Sequence, residues 1–263
     1  MRLTALLENL KYICCQGDGD VEVTNVAYDS RKVREGSLFV CIRGAVVDGH
    51  TFVPDVVAKG AKVIVAEEQV EAPEQVTVIQ VEDTRYALAC ISAAYFGHPA
   101  RKLKTIGITG TKGKTTTTYM VKSILENAGY RVGLIGTIEA IVGDKVVPAV
   151  NTTPESYVVQ EYFRDMVEAG CDCVVMEVSS QALMLHRTSG FVFDFGIFTN
   201  IEPDHIGPNE HKDFQDYLEC KAKLLSQCKV GIVNRDDKHF EQIVAKHTCQ
   251  LETFGFSPQA DLR

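Results

Sequence analysis

The segment Ile106-Gly107-Ile108-Thr109-Gly110-Thr111-Lys112-Gly113-Lys114-Thr115 constrains this chain more than any other stretch of it. An apolar run feeds a Gly-rich turn into the mouth of a helix. That arrangement aims backbone N–H groups and the positive end of the helix dipole at one point, and such a point binds an anion. The spacing departs from G-x-x-x-x-G-K-[ST], because Ile108 stands where the first Gly belongs. What remains is G-x-x-G-K-T with an additional Gly107. Lys114 offers a positive charge to the outer phosphates of a nucleoside triphosphate, and the Thr115 hydroxyl is placed for the magnesium that accompanies them. The expected ATP site is Gly110, Thr111, Lys112, Gly113, Lys114, Thr115 and Thr116. The plainer alternative is a tight strand-to-helix turn whose glycines serve only chain geometry.

From Leu103 onward the pattern repeats as strand, loop, helix, strand, which is the signature of a mainly parallel sheet with crossover helices. Thr105 to Thr109, Cys173 to Val178, Phe193 to Thr199 and Lys229 to Val233 are the expected strands. Thr115 to Asn127 is the expected helix, with Met120, Val121, Ile124 and Leu125 on one face and Gly129 closing it. Before that, Leu38 to Ile42, Val63 to Ala66 and Val76 to Val81 are β-rich runs separated by Gly and acidic turns, consistent with a smaller α/β unit. Gly97-His98-Pro99 is a turn signal followed by basic Arg101, Lys102 and Lys104. The expected domains are residues 1–98 and 99–263.

Composition removes several classes of function. The chain has 263 residues, 45 % of them apolar, and a formal charge of −8 without a clustered Lys/Arg stripe, so nucleic acid is not an expected partner. No apolar run approaches the roughly 20 residues that cross a bilayer, and Glu8 and Asn9 interrupt the start before a leader can develop. The expected location is the cytoplasm, with no membrane partner. Nine cysteines without a C-x-x-C pair argue against zinc and against a disulfide framework. Cys173, inside an apolar run, reads as a buried free thiol.

Two further constellations follow apolar strands. Cys173-Val174-Val175-Met176-Glu177-Val178-Ser179-Ser180 delivers one carboxylate to the C-terminal end of a strand, where open α/β sheets bind ligands. Glu177 there could complete an oxygen shell around magnesium, or be a solvated strand-end acid. Thr199-Asn200-Ile201-Glu202-Pro203-Asp204-His205 is the second, with His211, Tyr217 and Lys221 beyond it. Singly each is an ordinary loop or surface residue; their placement after strands of one sheet joins them to the phosphate loop.

These residues together resemble the Mur ligases, and within them the branch of UDP-N-acetylmuramoyl-tripeptide synthetases (MurE). The likeness covers nearly the whole chain. It is carried by Tyr28-Asp29-Ser30-Arg31-Lys32-Val33 with Gly36, Phe39 and Gly44; Asp48-Gly49-His50; Gly60-Ala61; Asp83-Thr84-Arg85; the loop Gly107 to Thr117; Gly136-Thr137-Ile138; Asn151-Thr152-Thr153-Pro154-Glu155; Met176 to Ser180; and Asp204-His205. The resemblance implies an N-terminal UDP-sugar-binding domain with Ser30 near the uridine, followed by a P-loop central domain. It implies that Asn151, Thr152, Thr153, Ser179 and Arg187 hold the muramoyl-peptide. Lys114 and Thr115 would bind ATP and magnesium, with Glu177 and His205 as further metal ligands. In the family a lysine of a Y-x-x-A-K pattern is carbamylated; Tyr217-Leu218-Glu219-Cys220-Lys221 resembles it, with Cys for Ala, which points to Lys221 in preference to Lys223. Lys114, Lys221, Glu177 and His205 are the implied catalytic set. The implied reaction is ATP-dependent addition of lysine or meso-diaminopimelate to UDP-MurNAc-L-Ala-D-Glu through an acyl-phosphate, by a monomer.

The chain departs from the family's pattern in places. Ile206-Gly207-Pro208-Asn209-Glu210-His211 follows Asp204-His205 where Leu-Asp and an earlier His are usual. Gln181 replaces a His, and Leu185 stands where a polar substrate contact is typical. The family continues into a third domain for the incoming amino acid, and this sequence stops at Arg263, so the 263 residues alone are expected to be inactive as a ligase. Competing readings are a truncated paralogue that binds UDP-muramoyl-peptide or ATP without catalysis, another Mur-type ligase, and a generic P-loop NTPase that leaves residues 1–98 unexplained.

Overall fold

A computed structural model describes every residue except Ala45 and Asn209. It divides into two compact units, Met1–Gly97 and His98–Arg263. The strands are β1 (Ile13–Gln16), β2 (Asn25–Ala27), β3 (Ser37–Val40), β4 (Val63–Ala66) and β5 (Thr77–Gln80) in the first unit. Its helices are α1 (Leu3–Leu6), α2 (Val53–Ala58) and α3 (Thr84–Tyr95). The sheet order is β1-β5-β4-β3-β2, parallel except for β1. Strands β3 and β4 are wholly buried, as continuous apolar runs in a covered parallel sheet should be. Helix α3 starts where Asp83 accepts the Tyr86 N–H at 2.8 Å, a side-chain cap for one of the amides that a first turn leaves unpaired.

The second unit carries β6 (Lys104–Thr109), α4 (Lys114–Asn127), β7 (Val132–Ile135), β8 (Glu139–Val142), β9 (Lys145–Pro148), α5 (Ser156–Glu168) and β10 (Cys173–Glu177). There follow α6 (Ser180–Met184), β11 (Phe193–Phe198), α7 (Phe214–Ala222), β12 (Cys228–Asn234), α8 (Phe240–Val244) and β13 (Gln250–Phe254). Its sheet runs β13-β12-β11-β6-β10-β7-β8-β9. The first six of these are parallel and β8 and β9 form an antiparallel extension. The central strand β6 therefore lies between β10 and β11, and the loops leaving all three emerge at one edge.

The main core, which includes Phe163, Met176, Phe193, Phe198, Tyr217 and Leu224, lies among α5, α7 and the strands. A smaller cluster of Ile106, Ile108, Val132, Cys173 and Val175 takes Val121 and Leu125 of α4. The expectation that Met120 and Ile124 share that face is corrected: they are 60 % and 65 % exposed. Residues 120/124 and 121/125 form two i,i+4 stripes about 100° apart around the helix, and one sheet face receives only one of them. Gly129 does follow the helix in a left-handed conformation, φ 92°. Among the described residues no helix is long and apolar enough to cross a membrane.

Candidate active site

The C-terminal ends of β6 and β10 bring the phosphate loop and Glu177 together. Register pairs Glu177 with Ile108, so the loop begins beside the carboxylate. The Thr115 hydroxyl donates to Glu177 Oε2 at 3.0 Å, and Thr137, just past β7, donates its N–H to Oε1 at 2.9 Å and its hydroxyl to Oε2 at 3.1 Å. Glu177 is 1 % exposed, so it is not a solvated strand-end acid. Gly136 is required beside it, because a Cβ there would stand 2.6 Å from Oε1. Thr137 stands among the family-like motifs, but its part in fixing Glu177 was not read from sequence. The available signal was its place after an apolar strand neighbouring β10.

The loop's amides divide into two groups. Thr111 N–H donates to the Asn200 carbonyl at 3.0 Å and Lys112 N–H to Asn200 Oδ1 at 3.0 Å. These two amides therefore do not face an anion, which corrects the expectation that the whole run converges on one. They tie the loop to the segment after β11. The amides of Gly113, Lys114, Thr115 and Thr116 have no protein acceptor among the described residues; they are the unpaired first turn of α4. Gly110 allows the loop to lie against β11, since a Cβ on it would fall 2.1 Å from Thr199 Oγ1.

Three lysines meet at this loop. Lys114 Nζ donates to the carbonyls of Gly110 at 3.0 Å and Thr111 at 3.2 Å, and Lys221 Nζ, from α7, donates to the same Gly110 carbonyl at 2.9 Å. Two lysine amines thus converge on one carbonyl oxygen. Burial pushes both amines down, and for Lys221, with the charge of Lys114 adding to it, to about 7. Lys221 lies 4.9 Å from the centre of the Tyr217 ring, whose hydroxyl donates to Thr111 Oγ1 at 3.3 Å. Lys112 reaches outward, Nζ to Asp204 Oδ2 at 3.2 Å.

Among the described residues His205 shares no hydrogen bond with Glu177 or Thr115, and its ring lies 6.0 Å from that of Tyr217. It is exposed, adopts φ 54°, and its Nδ1 lies 2.9 Å from Glu210 Oε1. Asn209 lies outside the described residues. His211 is buried with Nδ1 3.0 Å from Asp216 and its ring 5.2 Å from Tyr217.

The expected muramoyl-peptide residues form a second group beside the first. Thr152 Oγ1 lies 3.1 Å from Thr137 Oγ1 and donates to it, the Thr137 proton being given to Glu177. The Thr153 hydroxyl is committed to backbone, donating to Glu177 O at 2.8 Å and accepting from Ser179 N at 3.1 Å. Ser179 Oγ caps α6 by accepting from Ala182 N at 3.1 Å. Arg187 pairs with Glu155 at 3.0 Å and donates to the Thr153 carbonyl at 3.1 Å. Asn151 is exposed. Thr153 and Ser179 thus build the wall, while Asn151, Thr152 and Arg187 retain groups that could face a ligand. In the first unit Ser30 is half-buried and its carbonyl accepts from Lys59 Nζ at 2.9 Å, beside the Asp29–Arg31 ion pair that holds the Asp29 carboxyl down at about 2.

The donors around Thr115 fit magnesium: a hydroxyl and a carboxylate are hard oxygens. Among the described residues one group of three acids and histidines could hold a metal ion, Asp48, His50 and Glu68. There both His50 nitrogens are occupied, Nδ1 by Asp48 and Nε2 by the Glu67 N–H, so its ring has no lone pair left for a metal.

Residues 108–263 match the Mur ligase middle domain, and residues 22–96 match the domain described as Mur ligase family, catalytic domain. The chain belongs to the Mur ligase family. Within it, the chain is 49 % identical over 268 residues to the UDP-N-acetylmuramoyl-L-alanyl-D-glutamate--2,6-diaminopimelate ligase of Clostridium perfringens, a match covering 100 % of this chain and 55 % of that protein. A Clostridium acetobutylicum ligase of the same description, numbered 1, is 46 % identical over 100 % of this chain and 54 % of its own length. The chain spans about half the length of these Mur ligase relatives. A solved diaminopimelate ligase superposes with TM-score 0.82 at 21 % identity, over 99 % of this chain and 54 % of that one. MurF from Acinetobacter baumannii superposes with TM-score 0.64 at 22 % identity, over 97 % and 53 %. At these identities the two structures speak for the Mur ligase fold alone.

Proposed function

We propose that this chain is the nucleotide-binding and UDP-substrate-binding part of an ATP-dependent ligase that adds diaminopimelate to UDP-MurNAc-L-Ala-D-Glu. The observation that carries it is the 3.0 Å bond between Thr115 and Glu177 beside four free first-turn amides, in a chain 49 % identical to a ligase of that name. Residues 99–263 bind ATP, and residues 1–98, with Ser30, bind the uridine nucleotide. Asn151, Thr152 and Arg187 contact the muramoyl-peptide from the wall that Thr153 and Ser179 support.

A carboxylate does not acylate an amine at neutral pH, so its carbon must first acquire a leaving group. The γ-phosphoryl of ATP moves to the carboxylate oxygen; the amine then attacks the acyl carbon, the C–N bond forms and phosphate leaves. Such a transfer needs positioning and charge neutralisation more than covalent help. The free amides at residues 113–116 and the ammonium of Lys114 supply both. Magnesium, held by Thr115 and Glu177 with His205 and a carbamylated Lys221 as further ligands, would neutralise phosphoryl charge. An amine titrating at about 7 is substantially neutral at physiological pH. Lys221 can therefore attack carbon dioxide: an N–C bond forms, a proton leaves, and the cation becomes a carbamate anion.

Thermal shift tests the reading, since a ligand bound only by the native state adds about 2.7 kcal/mol at a hundred times its Kd. ATP with magnesium and UDP-MurNAc-L-Ala-D-Glu should each raise Tm. Lys114→Ala should abolish the ATP shift and keep the other. Stabilisation by ATP alone in the unsubstituted chain would favour a generic NTPase. Residues 1–263 by themselves should form no tripeptide.

A further inference from the structure

We propose that Lys112 and Asp204 form a latch across the mouth of the phosphate loop, which an arriving nucleoside triphosphate opens by taking Lys112 for itself. The inference rests on the nucleotide reading above.

The backbone of Lys112 is pinned on both sides by one residue: its N–H donates to Asn200 Oδ1 at 3.0 Å and its carbonyl accepts from Asn200 Nδ2 at 3.0 Å. Only the side chain is left to move. Its ammonium donates to Asp204 Oδ2 at 3.2 Å, with the two side chains 73 % and 36 % exposed, and this partner is the largest influence holding the Asp204 carboxyl below its ordinary range. The other oxygen of Asp204 accepts the His205 N–H at 3.0 Å, and the His205 ring is turned to Glu210 at 2.9 Å. Among the described residues, neither member of the Asp204-His205 pair is hydrogen-bonded to Thr115 or Glu177. The side-chain partners of the pair, Lys112 and Glu210, are solvent-exposed, while the His205 carbonyl accepts from the buried His211 N–H at 3.0 Å and its ring lies 6.0 Å from that of Tyr217.

An exposed ion pair contributes little. A triphosphate on the adjacent amides presents several negative charges within reach of the same ammonium, and charge-assisted bonds to phosphate are stronger than this one. Lys112 therefore exchanges partners. Asp204 loses its tether, and the segment carrying His205 becomes free to approach the Glu177 centre only once nucleotide is bound. The latch makes a coupling between nucleotide arrival and the second half of the site.

A double-mutant cycle read by ATP affinity with magnesium, through isothermal titration of the 263-residue chain, tests this. Asp204→Asn should tighten ATP binding by about two- to fivefold, the equivalent of one exposed ion pair, because Lys112 starts free. In a Lys112→Ala background the same change should leave affinity unaltered. Equal tightening in both backgrounds would reveal general charge repulsion and overturn the latch. Weakening by Asp204→Asn would also overturn it, by making Asp204 a direct nucleotide contact. Failure of the unsubstituted chain to bind ATP overturns the nucleotide reading and the latch together, and is thereby distinct from the first two results.

Discussion

Glu177 and His205, both expected at the same metal, occupy opposite kinds of surroundings. Glu177 ends a strand with neighbours on both sides, is buried, and receives three hydrogen bonds from Thr115 and Thr137. His205 sits in an exposed loop with φ 54° and one acidic partner, Glu210. A residue on a central strand inherits its position from the ladder, whereas a loop residue has only the few contacts its own segment makes. One residue is thus fixed by the sheet and the other by its own loop, and the fixed one belongs to the part proposed to meet the nucleotide.

The largest effect should come from removing the residue fixed by the sheet. Glu177→Ala leaves three donors without their acceptor and should cost about 3 kcal/mol in denaturant unfolding; a loss under about 1 kcal/mol would mean those donors rehydrate freely and the centre is not fixed. Next comes Lys221→Met, which should stabilise the chain by about 2 kcal/mol at neutral pH, as when a buried charge gives way to an apolar side chain of similar volume. The sign follows from linkage. Folding lowers this amine from 10.5 to about 7, so between those values the unfolded chain binds more protons and the wild type gains stability as pH rises. The advantage of Lys221→Met should be greatest at pH 7 and below and shrink toward pH 10.5. An advantage independent of pH would refute the buried-amine account. His205→Ala should change stability by less than about 0.5 kcal/mol; a larger loss would place this residue with Glu177 rather than against it.

What could be read from sequence was what depends on near neighbours. The turn from β6 into α4, and the carboxylate at the end of β10, follow from patterns a few residues long. The partners of these groups come from far along the chain: Asn200 takes the amides of Thr111 and Lys112, and Lys221 reaches Gly110 across 111 positions. No periodicity encodes those pairings, so nothing in the sequence tells that the backbone amides of Thr111 and Lys112 go to Asn200. Thr153 and Ser179 illustrate the same limit, because a hydroxyl that caps a helix and one that grips a ligand are the same residue type. Helix α4 was misread for a different reason: its two apolar stripes are equally periodic, and only the sheet beneath decides which is buried.

Amide hydrogen exchange, with and without ATP and magnesium, tests the central claim most directly. Gly113, Lys114, Thr115 and Thr116 should exchange freely in the apo chain and become protected on binding, while Thr111 and Lys112, already bonded to Asn200, should change little. Unaltered exchange at residues 113–116 under saturating ATP would contradict the assignment of this loop to a triphosphate.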